Sequence, residues 1–178
     1  SEQETDKLLA MMAPAHLAPL AGLMAAADVR VAYTDAAVAI LEASPDGGWR
    51  EVERRLPYSR DFDPDLLLLD NYIPFNTLVF DRDLLLEVGP LDERLPFFED
   101  WELLIRLSRR AAFHHLRQVT CEYRHFRGGQ HVFGERPAQR GDFLSVKAQV
   151  VARFSELLEP AVLAGVVARL RAETVDHA

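Results

Sequence analysis

The residues able to do chemistry in this chain crowd into the stretch from Asn71 to Arg127. Glu99 and Asp100 stand side by side, Trp101 follows them, and Arg106 comes a turn later. Upstream, Asp92 and Glu93 close the turn Val88-Gly89-Pro90-Leu91, and downstream the block ends with Tyr123-Arg124-His125 and Arg127. A carboxylate held ~2.6–3.2 Å from a hydroxyl can take its proton. An acid at a helix start gains about 0.3–1 kcal/mol from the positive end of the helix dipole when it is ionised, while a second acid beside it pushes the other way. The same pair has a plainer use, because acids are favoured in first helical turns simply as caps. Trp101 falls on an apolar stripe, so packing in a core competes with forming the wall of a binding site. Arg106 suits anchoring a carboxylate better than touching a substrate. His114 and His115 are consecutive in an expected strand, which turns their rings to opposite faces and makes them a poor metal pair. Cys121 reads as a buried strand residue.

These groups need elements to position them. Residues 74–80 read as a strand, Asp81 caps a helix over 82–88, and Gly89-Pro90 stops it. A second helix starts at Glu99-Asp100, with Trp101, Leu104, Ile105 and Ser108 at the i, i+3, i+4, i+7 spacing of a buried stripe. Strands are predicted over 113–116 and 119–123, leading into a flexible polar loop through Gly128-Gly129. Earlier in the chain, residues 1–7 read as frayed, 17–26 as a short helix, and 29–33 as a strand ended by Thr34-Asp35. A second strand over 38–41 is closed by the turn signal Ser44-Pro45-Asp46-Gly47-Gly48, and the charged residues 49–65 read as an exposed excursion. The tail carries Phe143, Val146, Val150, Val151, Phe154, Leu157 and Leu158 at helical spacing. Pro160 suits the first turn of another helix. The whole is an α/β chain whose expected division is 1–137 for the main unit and 138–178 for a helical appendage. That appendage packs back on the domain or serves as an interface for a partner or a second copy.

Composition narrows the function classes. The chain has 178 residues, 49% hydrophobic and 27% charged, enough to build a core without staples. A single cysteine, Cys121, excludes an intrachain disulfide framework and points to a reducing compartment. A net charge of −8 argues against a general nucleic-acid binder. The longest apolar run, Leu66 to Leu69, is far short of the ~18–20 residues that cross a bilayer. Ser1-Glu2-Gln3-Glu4 is acidic where a secretory signal would be basic, and suggests a segment taken from a longer chain. Neither of the common glycine-rich phosphate loops occurs.

The order Gly89-Pro90-Leu91-Asp92-Glu93, Glu99-Asp100-Trp101, Arg106, Tyr123-Arg124-His125 resembles the second half of glycosyltransferase family 2. The resemblance extends back through Asn71-Tyr72-Ile73-Pro74-Phe75-Asn76-Thr77 and, more weakly, to Pro14-Ala15-His16-Leu17 and Val31-Ala32-Tyr33-Thr34-Asp35, so it covers roughly residues 14–127. It implies part of a GT-A-type fold and transfer of a glycosyl group with inversion. It makes Asp100 the catalytic base, with Glu99, Trp101 and Asp92 near the acceptor. It also makes His125 a contact for a divalent Mn or Mg ion, and Arg124 and Arg127 contacts for the diphosphate leaving group. A bound acceptor would be a sugar or a lipid-linked sugar, and the location cytoplasmic, peripheral at the inner membrane face.

One part of the family pattern is missing. The D-x-D cluster that holds metal and diphosphate would precede Ala13, where this chain has Lys7-Leu8-Leu9-Ala10-Met11-Met12. Apolar side chains do not ligate a hard cation. The resemblance therefore implies an acceptor-side half, with the nucleotide-sugar site and its metal supplied by an N-terminal half and little activity alone. The alternative is a degenerate, non-catalytic relative that binds or assembles.

Overall fold

A single long strand organises the chain. The computed structural model describes residues 12–26, 28–127 and 140–176, and within them β1 (Val31–Ala43) pairs on both edges. Along one edge runs β4 (Phe113–Phe126), parallel, from Val31 opposite Phe113 to Leu41 opposite Phe126. The other edge is shared. β3 (Leu78–Phe80) takes residues 31–33 of β1 and β2 (Trp49–Tyr58) takes residues 36–43, both antiparallel. The result is a mixed four-stranded sheet.

Four expectations change here. The strands expected over 29–33 and 38–41 are one strand, because Thr34 and Asp35 are buried inside it rather than ending it. A strand covered on both faces shows a near-continuous buried run instead of alternation. Likewise 113–116 and 119–123 are one strand. Its register shifts twice opposite Thr34–Ala36, and that irregularity absorbs Arg117, Gln118 and Thr120. The excursion expected over 49–65 contains β2, an edge strand whose arginines and glutamates guard it against foreign strands. Of the strand expected over 74–80, the first part is a 3-10 turn (Phe75–Thr77) and only the last three residues are extended.

Helices cover the two faces. On one side α1 (Leu17–Ala26) sets Leu20, Leu23 and Met24 against Val29, Ala32 and Val79. On the other, α2 (Arg82–Val88) and α3 (Glu99–Ser108) pack with Leu67, Leu68 and Ile73 against Val31, Tyr33 and Phe113. Asp81 caps α2 by accepting from Asp83 N at 2.6 Å. α3 is buried nearly all round, because α4 (Arg140–Arg153) lays Val146 and Val150 into the same core. The tail helix expected over 142–158 stops at Arg153. A 3-10 turn (Ser155–Leu157) follows, and then α5 (Pro160–Asp176) with its proline in the first turn. No helix among the described residues is long and apolar enough to cross a membrane. The expected frayed start and the polar loop after Arg127 lie outside the described residues.

Candidate functional site

Asp100 sits in the first turn of α3. The helix begins after Phe98, whose φ of 64° is left-handed, a conformation uncommon for a residue with a side chain. Phe98 is held there by Trp101 and Phe143, at ring separations of 5.5 and 4.4 Å. The turn brings Asp100 Oδ1 to 2.6 Å from the backbone N–H of Trp101 and 3.4 Å from Asn71 Nδ2. No other side chain among the described residues hydrogen-bonds this carboxylate, which is partly exposed. Burial raises the Asp100 carboxyl above its ordinary value. The Trp101 amide opposes that rise, while the neighbouring Glu99 adds to it. A proton acceptor benefits from that direction, since a higher proton affinity helps it take a proton.

The raised carboxyl has a consequence for stability. The folded form holds the Asp100 proton more tightly than the unfolded chain. Stability contributed here therefore falls as pH rises from the unfolded value, about 3.9, through the raised folded one. Above that window the charge is a net cost. Asp100→Asn is therefore expected to melt no lower than the parent protein at neutral pH. A melting temperature several degrees lower would show that the carboxylate is mainly a structural cap.

One amide meets this carboxylate and a second meets Tyr123, and neither has a role in the sequence reading. Asn71 reaches Asp100, and Asn76 Oδ1 accepts from the Tyr123 hydroxyl at 3.0 Å. Asn71 Oδ1 and Asn76 Nδ2 are both buried with no hydrogen-bond partner among the described residues, a costly state for a polar atom. Tyr123 is kept protonated chiefly by burial, and Tyr58, Cys121 and Asp100 add to that. The only sequence signal for the amides was a pair of asparagines, Asn71 and Asn76, in an otherwise apolar run. Behind Asn76, Cys121 Sγ donates to its carbonyl, and burial pushes the thiol up, away from a thiolate. His16 Nδ1 meets Thr120 Oγ1 at 2.7 Å in the interior, and burial lowers the proton affinity of its ring.

The other expected site residues are placed differently. Trp101 is fully buried and donates from Nε1 to the Leu67 carbonyl at 2.7 Å, so it is a core residue and no wall for an acceptor. Asp92 is spent on arginines: Oδ1 accepts from Arg94 Nε at 2.8 Å and Oδ2 from Arg153 at 2.7 Å. Arg94 first and then Arg153 hold its carboxyl well below the usual range. Asp92 therefore ties α4 to the turn rather than presenting itself to a ligand. Glu99 is half-buried and makes no hydrogen bond or ion pair among the described residues. Arg106 does anchor a carboxylate. It pairs with the buried Glu102 at 2.8 Å and caps the carbonyls of Gly89 and Pro90 at 2.9 and 2.8 Å. Gly89 makes this possible, since its φ of 86° ends α2 and turns those carbonyls toward the guanidinium. The open groove beside this network, about 370 Å³, is lined by Asp92, Arg94, Glu102, Arg106 and Arg153 together with the turn, and does not include Asp100.

Arg124, His125 and Arg127 are not gathered into one site. Arg124 and His125 are successive residues of a regular stretch of β4, so they face opposite sides of the sheet. Arg124 shares the face of Glu122 and binds it at 2.7 Å, while Arg127 binds Glu42 at 2.6 Å. His125 is exposed on the face of Tyr123. Among the described residues no three His, Cys, Asp or Glu side chains converge as a metal-binding group. No chemical step is routed through a divalent ion. Set beside protein-family models, curated proteins and solved structures, the chain matches none of them.

Proposed function

We propose that this chain is the acceptor-side half of an inverting, nucleotide-sugar-dependent glycosyltransferase of the GT-A type. Its catalytic base is Asp100. The observation that supports this most is the state of that carboxylate. It is partly exposed at the start of α3, its proton affinity is raised by burial, and its one side-chain hydrogen bond among the described residues is with the uncharged Asn71. In the reaction, the acceptor hydroxyl gives its proton to Asp100 as its oxygen attacks the anomeric carbon of the donor. The new glycosidic bond forms as the bond to the diphosphate breaks, and the nucleoside diphosphate leaves with the electron pair. Attack from the face opposite the leaving group inverts the anomeric centre. Glu99, which makes no hydrogen bond or ion pair among the described residues, would receive a second acceptor hydroxyl. Donor binding belongs to a part of the enzyme outside the residues described.

The test is acceptor-dependent release of nucleoside diphosphate by the full-length protein, across a panel of nucleotide sugars and simple glycoside acceptors. Release with at least one pair, and inversion at the new linkage, is the expected result. No acceptor-dependent release, together with self-association of the protein, would replace this reading by that of a non-catalytic assembly module. The exposed Leu163 and Val167 of α5 would then be the natural contact.

A further inference from the structure

We propose that Phe143 of α4 is a positioning residue for Asp100: it clamps Phe98 in a left-handed conformation and so fixes the first turn of α3, which carries the carboxylate. The consequence for catalysis rests on the reading of Asp100 as a base; the clamp itself does not.

The start of α3 lacks the usual support. A helix leaves its first N–H groups without intrahelical partners, and a Ser, Thr, Asp or Asn before the first turn normally meets one of them. Here that position holds Phe98, whose side chain caps nothing. Its backbone stands at φ 64° and ψ 19°, and it is the one residue other than glycine with a positive φ among the described residues. A side chain is crowded in that region, so an unrestrained phenylalanine leaves it for negative φ. The helix nevertheless depends on Phe98, whose carbonyl accepts from the Glu102 N–H at 2.9 Å. Asp100 lies in the same turn, where Oδ1 accepts from the Trp101 N–H at 2.6 Å and meets Asn71 Nδ2 at 3.4 Å. Release of Phe98 to negative φ redirects the chain at the helix start and moves that carboxylate.

Aromatic packing takes the place of the missing cap. The Phe98 ring lies 4.4 Å from Phe143, tilted by 51°, and 5.5 Å from Trp101, close to edge-on at 68°. Tilted and edge-to-face pairs are the arrangements that aromatic rings favour. Trp101 is fixed in the core, and Phe143 closes the clamp from a distant element, with Phe97 at 5.8 Å on its flank. One turn along α4, on the same face, Lys147 Nζ lies 5.6 Å from the centre of the Trp101 ring and 3.4 Å from Asp70 Oδ1. α4 thus meets both segments that set the geometry at Asp100, the residue before Glu99 and the residue before Asn71. Phe143 is itself 44% exposed. A ring this open adds little to the core, so its loss is felt locally and leaves the fold intact.

The deciding experiment is amide hydrogen exchange at Glu102, whose N–H makes the bond to Phe98, read beside the amides of β1. In Phe143→Ala, protection at Glu102 should fall at least about tenfold, the scale of the strain a side chain meets at positive φ, while the β1 amides keep theirs. Phe143→Tyr retains the ring and should retain the protection. Phe98→Gly removes the need for a clamp, because glycine takes a positive φ freely. Adding Phe143→Ala to it should cost nothing further at Glu102. If Phe98→Gly is too unstable to measure, Phe143→Ala against Phe143→Tyr decides. The Asp100 carboxyl, raised by burial, should fall back toward its ordinary range in Phe143→Ala when its titration is followed by NMR. In the full-length protein the same variant should lower kcat and leave the KM for nucleotide sugar unchanged. Exchange and titration need no turnover, so failure of the clamp is told apart from failure of the base. Unchanged protection at Glu102 in Phe143→Ala, an equal loss throughout β1, an equal loss in Phe143→Tyr or in the Phe98→Gly background, or an unmoved Asp100 titration would overturn the proposal.

Discussion

Asp100→Asn in the full-length protein is expected to cut glycosyl transfer by about 10²–10⁴-fold, the usual worth of a positioned general base, with binding of the nucleotide sugar unchanged. The geometry makes this a clean substitution. The Asn oxygen can still accept from the Trp101 N–H, and the Asn71 contact is already long at 3.4 Å. The variant loses the proton acceptor and little else, and its melting temperature at neutral pH should not fall. Asp100→Glu keeps a carboxylate but moves it by a methylene, so it should retain more activity than the amide while falling short of the parent. Transfer at the parent rate by Asp100→Asn would remove Asp100 from the role of base. If activity and melting temperature fell together, the carboxylate would be structural.

The second large effect falls on the neighbouring residue and has the opposite character. Trp101→Ala should destabilise the fold by about 3–5 kcal/mol, as truncation of a buried aromatic does. Trp101 has no exposed surface and lies in the core with Leu67, Leu68, Leu104 and Ile105. Its truncation also strands the Leu67 carbonyl that Nε1 reaches at 2.7 Å. Trp101→Phe keeps most of the packing and should cost chiefly the hydrogen bond, about 1–3 kcal/mol for a buried group left unpaired. Urea denaturation gives both values. An acceptor wall would behave differently, with a raised KM and an almost unchanged midpoint of unfolding. That result would contradict the buried position of the ring.

The contrast between these adjacent residues shows where local pattern is enough. Helix α3 was legible because its start carries acids, its stripe has the helical period, and its end has no competing signal. α2 was legible through Asp81 and Gly89, one a cap and the other a residue able to take a positive φ. The opposed faces of His114 and His115 follow from strand alternation alone. What the pattern left undecided was which side of α3 meets solvent, because α4 covers a second face and makes Trp101 interior from every direction. For the same reason Asp92 reads as a candidate ligand in one dimension and is an anchor in three. Arg153, which joins Arg94 in pairing with it, lies sixty-one positions away in the chain.

By itself, then, the order of residues determined the mixed α/β class, the helices with their caps, and the placement of a carboxylate at a helix start. All of these depend on neighbours within a few positions, where backbone geometry is nearly fixed. Only the tertiary structure decided that β1 runs unbroken through Thr34 and Asp35, that Asn71 reaches Asp100, and that β4 continues through Arg124 and His125 to Phe126. It likewise joined Asp35, His115 and Asp61. Burying a polar or charged group is costly unless a partner meets it. Where those partners come from distant parts of the chain, the fold alone determines which group is satisfied, which is spent and which remains available for chemistry.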